Sequence, residues 1–131
     1  LPGVVAGATD LGSRITALGG DFFKEAPVGA DCYILKHIIH DWSDEHCRKI
    51  LNNIARSMSP GGRVLIAEFV MPESGEPHPA KFMDVNMLAM TDGGCERTEK
   101  EFASLLESSG LKFKGITQTP AGISLVEASK A

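Results

Sequence analysis

Apolar and polar positions along this chain fall into blocks that switch between two periods. Residues 14–18, RITAL, predict a short strand closed by the turn Gly19-Gly20. Residues 31–39, DCYILKHII, are a nearly unbroken apolar run, as in a strand buried on both faces of a parallel sheet. From 44 to 58 the period lengthens: Cys47, Ile50, Leu51, Ile54, Ala55 and Met58 fall on one helical stripe. Ser43 stands where an N-cap belongs, and Asp44 and Glu45 occupy the first turn, where the helix dipole favours acids. Ser59-Pro60-Gly61-Gly62 stops that helix. RVLIAEFVM, 63–71, predicts a second buried strand, and PESGEPHP, 72–79, a loop. Residues 80–91 predict a helix with Phe82, Val85, Met87, Leu88 and Met90 turned inward. Thr98 and Glu101 have the spacing of a capping box, opening a helix through Phe102, Leu105 and Leu106 that Gly110 closes. Residues 111–119 and 122–130 predict two strands joined at Pro120-Ala121-Gly122.

The order β, β, α, β, α, α, β, β predicts an α/β fold: a doubly wound, largely parallel sheet finished by an antiparallel hairpin. Such folds open with a strand, a glycine-rich turn and a helix. No G-x-G-x-x-G-like loop precedes residues 14–18, so the chain reads as the C-terminal part of something longer. At 131 residues with a formal net charge of −4, it has no basic footprint for nucleic acid. No apolar run approaches the ~20 residues of a membrane span. Cys32, Cys47 and Cys95 are scattered and odd in number, which predicts free thiols in a reducing cytoplasm.

Ligands of open α/β sheets bind beyond the carboxyl ends of the strands. That rule selects Asp21-Phe22-Phe23, His40-Asp41-Trp42 and Glu68. His37 and His40 lack the ordered ligand set of a zinc site, so no metal is expected. His46 reads as a solvated residue of a first helical turn, and His78 carries no signal. Spacing alone leaves two readings for His40: a histidine packed at a strand end, or a general base with a pKa near neutrality. Lys36, inside an apolar strand, either snorkels to the rim or meets a ligand there. Glu96, after Gly93-Gly94, reads by spacing as a solvated glutamate.

Five blocks together carry more: GGDFF (19–23), LKHIIHDWSDEHCRKILNN (35–53), GGRVLIAEFVMP (61–72), DVNMLAM (84–90) and GGCERTEKEF (93–102). In this order and at these distances they resemble the small-molecule O-methyltransferases that use S-adenosylmethionine. That family includes caffeic acid, acetylserotonin and bacterial polyketide O-methyltransferases. The resemblance implies a Rossmann-like sheet of order 3-2-1-4-5-7-6, of which residues 1–131 supply strands 3 to 7. The glycine-rich loop and an N-terminal dimerisation region would lie upstream, and the whole protein would be a homodimer. By resemblance His40 is the catalytic base and Glu68 and Glu96 flank its ring. Asp21, Phe22, Lys36 and Asp41 match positions at the cofactor, and Asn86 and Met87 match a substrate-lining helix. Cys95 departs from the lysine of many plant members. The implied reaction moves a methyl group to a hydroxyl of a small aromatic molecule, without a metal. A catalytically incomplete, methyltransferase-shaped piece is the competing expectation. A nicotinamide-dependent oxidoreductase is disfavoured, because its phosphate loop is absent.

Overall fold

The computed structural model describes residues 2–8 and 12–131. A short helix, α1 (Pro2–Val5), is followed by irregular chain up to β1 (Cys32–Lys36). Then come a 3-10 turn at Ile39–Asp41, α2 (Asp44–Ser57), β2 (Arg63–Glu68) and β3 (Val70–Met71). The chain ends with α3 (Pro79–Met90), β4 (Arg97–Thr98), α4 (Glu99–Glu107), β5 (Leu111–Gln118) and β6 (Ser124–Lys130). The main sheet has four strands in the order β1-β2-β6-β5. β1 and β2 are parallel, and β6 runs antiparallel to both β2 and β5. This is the contiguous 4-5-7-6 portion of the order implied by the resemblance, with β1 (Cys32–Lys36) left at an edge.

The core forms where the inward faces of these strands meet α2 and α4. Val64 and Ile66 of β2 and Val126 and Ala128 of β6 alternate inward, as period two requires. They pack with Ile50, Leu51 and Ile54 of α2 and with Phe102, Leu105 and Leu106 of α4. Burying each such aliphatic side chain is worth roughly 1.5–3 kcal/mol. Thr98 and Glu101 make the predicted capping box at the start of α4. Ser43 occupies the N-cap of α2, but its hydroxyl meets His46 Nδ1 at 2.9 Å instead of a backbone N–H.

Four expectations change. Residues 14–18 form no strand: Ile15 and Leu18 are 60% and 67% exposed, because five apolar-leaning residues make a strand only beside a partner edge. The strand expected over 31–39 ends at Lys36, where His37 takes φ 51° and breaks the pleat. That strand is also covered on one face only: Tyr33 is buried while Ile34 is exposed. The strand expected over 63–71 divides at Phe69, and β3 leaves the main sheet to pair in parallel with β4. Finally, α3 buries Ala80 and Met87 alone; Phe82, Val85, Leu88 and Met90 face outward. Among the described residues no helix is long and apolar enough to cross a membrane.

Candidate active site

The parallel β1–β2 ladder pairs Lys36 with Ala67, and the His37 N–H continues it to the Ala67 carbonyl. The positive φ of His37 then turns the chain, and the next amides point at the last residue of β2. Glu68 Oε1 accepts the N–H groups of Ile38, Ile39 and His40 at 3.1, 2.7 and 3.2 Å. A buried carboxylate oxygen thus satisfies three donors that would otherwise be orphaned at the start of the 3-10 turn.

The turn delivers His40, which is buried. Its Nδ1 lies 2.8 Å from Oε1 of buried Glu96. With the proton on Nδ1 donated to that oxygen, Nε2 carries the free lone pair. Asp41 Oδ1 stands 3.5 Å from Nε2. The Glu96 hydrogen bond holds the His40 pKa above the ordinary imidazole value, against the opposing effect of burial. Burial pushes the Glu68 carboxyl up, against the pull of His40 and the backbone amides. His37 stacks on His40 with centroids 5.3 Å apart and planes at 29°, and burial lowers its pKa. The two imidazoles are therefore stacked on one another. His40, Glu68 and Glu96 do place ligand-type atoms within 4.8 Å of one another. In these residues His40 Nδ1 and Glu68 Oε1 are already engaged in the bonds just given.

Glu96 is held in turn. Its N–H donates to Asp84 Oδ1 on α3 at 2.8 Å. Gly94, two residues earlier, lies so close that a Cβ there would come within 2.4 Å of the His40 carbonyl. Next to Glu96, Arg97 sends its buried guanidinium to the carbonyls of Ile39 and Trp42.

Of the residues singled out in the sequence, the structure gathers His40, Glu68, Glu96 and Asp41. Asp21 and Phe22 sit apart from this group, in a cleft of about 560 Å³ along the free edge of β1. Asp21 Oδ1 accepts the Phe23 N–H at 3.0 Å, which shapes the turn at 21–24. Phe22 reaches Trp42 edge-on at 6.3 Å, which ties the cleft to the His40 turn. Lys36 is exposed at the end of β1. Asn86 is exposed on α3, while Met87 packs inward. His46 is exposed, as expected. Cys32, Cys47 and Cys95 are all free thiols. Sequence reasoning missed Asp84, Gly94 and Arg97. Most of their partners are backbone groups, which leave no pattern in a sequence.

The O-methyltransferase domain family matches residues 1–112. This chain belongs to that family. The domain is 42% identical over 118 residues to the phenazine O-methyltransferase PhzM of Lysobacter antibioticus, covering 90% of this chain and 34% of that protein. It is 42% identical over 127 residues to the caffeic acid 3-O-methyltransferase of Zinnia elegans, covering 94% and 35%. Human N-acetylserotonin methyltransferase, solved in complex with SAM, superposes with a TM-score of 0.85 at 34% identity, covering 94% of this chain and 36% of that one. The domain thus spans about a third of the length of the curated relatives it matches. Its sheet is the Rossmann-like methyltransferase sheet in part, as the order β1-β2-β6-β5 indicates.

Proposed function

We propose that this chain is the C-terminal portion of the catalytic domain of an S-adenosylmethionine-dependent O-methyltransferase. Its acceptor is a hydroxyl, best a phenolic one, on a small aromatic or polyketide-like molecule, and His40 is the general base. The observation that carries the reading is the 2.8 Å bond from His40 Nδ1 to Glu96, which fixes the ring and leaves Nε2 as acceptor. A phenol has a pKa near 10 by analogy with tyrosine, so at neutral pH its oxygen is a weak nucleophile. His40 Nε2 takes the hydroxyl proton as the oxygen becomes nucleophilic, a contribution of typically ~10²–10⁴ in rate. Glu96, and Asp41 at 3.5 Å, stabilise the imidazolium that results. Glu68 keeps the backbone of the base in place.

The cleft beside β1 suits an adenosyl group: Phe22, Tyr33 and Leu35 offer apolar and aromatic walls, and Asp21 offers a carboxylate for hydroxyls. Asp21, Phe22, Lys36 and Asp41 would hold the cofactor, which when bound supplies the electrophilic methyl group. Asn86 and Met87 lie on the helix assigned to the acceptor. Free thiols fit a reducing, cytoplasmic location. The outward apolar residues of α3 and the open edge of β1 fit a whole protein that dimerises.

Incubation with S-adenosylmethionine and a panel of hydroxylated aromatics, read by mass spectrometry, tests the reading. A product heavier by one methylene on oxygen supports it. Cofactor binding with no product from any acceptor favours a methyltransferase-shaped, non-catalytic chain.

A further inference from the structure

The His40 turn and the Glu96 loop lie far apart in sequence, and the ring bond between them is only as good as their alignment. A displacement of 1 Å at such a contact is enough to lose a catalytic geometry. Two backbone-level links hold them together. One is the contact of Gly94 with the His40 carbonyl. The other is Arg97, only 2% exposed, whose donors are all engaged. Nη1 donates to the carbonyls of Ile39 and Cys95 at 3.0 and 3.2 Å. Nη2 donates to the carbonyl of Trp42 at 3.0 Å and to Asp44 Oδ1 at 2.7 Å, and Nε donates to the same oxygen at 3.0 Å. Ile39 precedes His40 and Trp42 closes its turn, while Cys95 precedes Glu96. Burial pushes the Cys47 thiol up to about 12, so it stays protonated and donates to the same Ile39 and Trp42 carbonyls at 3.2 and 3.4 Å.

We propose that Arg97 is a positioning residue for the reaction: its planar guanidinium clamps the carbonyls that bracket His40 to the carbonyl that precedes Glu96, and so sets the His40–Glu96 bond. Only a fork with several fixed donors bridges three carbonyls and a carboxylate at once; an ammonium does not. The proposal rests on the reading of His40 as the base.

The groups that face His40 are Glu96 from the loop, Glu68 from β2, Asp41 on its own turn and His37 stacked above it. Arg97→Lys leaves all of these groups and the positive charge in place, so a change in its His40 titration reports alignment. The test follows the His40 imidazole by nitrogen-detected NMR titration in the full chain, for the native protein, Arg97→Met and Arg97→Lys. Arg97→Met removes every donor, and Arg97→Lys keeps the charge and loses the fork. Both variants are expected to bring the His40 midpoint down by about half a pH unit or more and to weaken the preference for the Nδ1-protonated tautomer. Arg97→Lys is expected to show the smaller change. A lowered melting temperature with unchanged His40 titration overturns the proposal. So does loss of folding in both variants, which assigns Arg97 to the core instead of the pair. Turnover of His40→Gln separates the two levels: if it is near normal the base reading fails, whatever the Arg97 variants do to the titration.

Discussion

Glu68 holds His40 by the backbone, whereas Glu96 holds it by the ring. The first carboxylate accepts the His40 N–H at 3.2 Å together with two neighbouring amides; the second meets Nδ1 at 2.8 Å. Two acids that look equivalent beside one base therefore do separable work.

The separation predicts different losses. Glu68→Ala strands the two buried amides of Ile39 and His40 and the half-buried one of Ile38; a buried amide costs about 1–3 kcal/mol when unpaired, so the change is expected to lower stability by at least about 2 kcal/mol. Glu96→Gln keeps a hydrogen-bonding oxygen and the fold, so it is expected to cost about 1 kcal/mol or less of stability while lowering turnover roughly tenfold or more. Denaturant unfolding and turnover of the same two variants check this. Equal stability losses contradict the division of roles.

Both the Glu68 and His40 pKa values are raised by folding. For such groups the native state favours the protonated form. Their contribution is full below the unfolded pKa and fades as pH rises through the folded one. Stability is therefore expected to decline above the ordinary carboxylate midpoint through Glu68 and further above the ordinary imidazole midpoint through His40, and Glu96→Gln is expected to flatten the His40 part of that decline. The base itself works only when neutral, so the rate is expected to rise with pH through a midpoint above 6.5. Unfolding free energies and pH–rate profiles over one buffer series measure both.

Gly94→Ala puts a methyl group within 2.4 Å of the His40 carbonyl and of Thr91 Oγ1, and within 2.8 Å of Asp41 backbone. Backbone has to move, at a cost of about 1–3 kcal/mol. Turnover is expected to fall with little change in affinity for the methyl donor, as calorimetry and kinetics on the variant measure.

Much of this was legible in the sequence. The stripe on α2 and the capping box at Thr98 are local and periodic, so pattern alone places them. The strand-end rule located His40 and Glu68, and the five-block resemblance added Glu96. What pattern misled about depends on partners. Residues 14–18 lack a neighbouring edge, and the apolar residues of α3 show hydrophobicity without saying what covers them. Arg97 escaped because one arginine has no period and most of its bonds go to carbonyls, its one side-chain partner, Asp44, lying 53 residues away.

The outward side chains predict association. Phe82 and Leu88 of α3 and Ile34 of edge strand β1 are 78%, 82% and 67% exposed. Sedimentation of the chain is expected to show self-association that Phe82→Glu with Leu88→Glu reduces. A monomer insensitive to those changes contradicts this expectation.

The central claim, that His40 is the base, is tested most directly by His40→Gln in the intact protein, with turnover and S-adenosylmethionine affinity measured together. Turnover is predicted to fall by at least ~10²-fold with the affinity little changed; near-full turnover on the same acceptor would contradict the account.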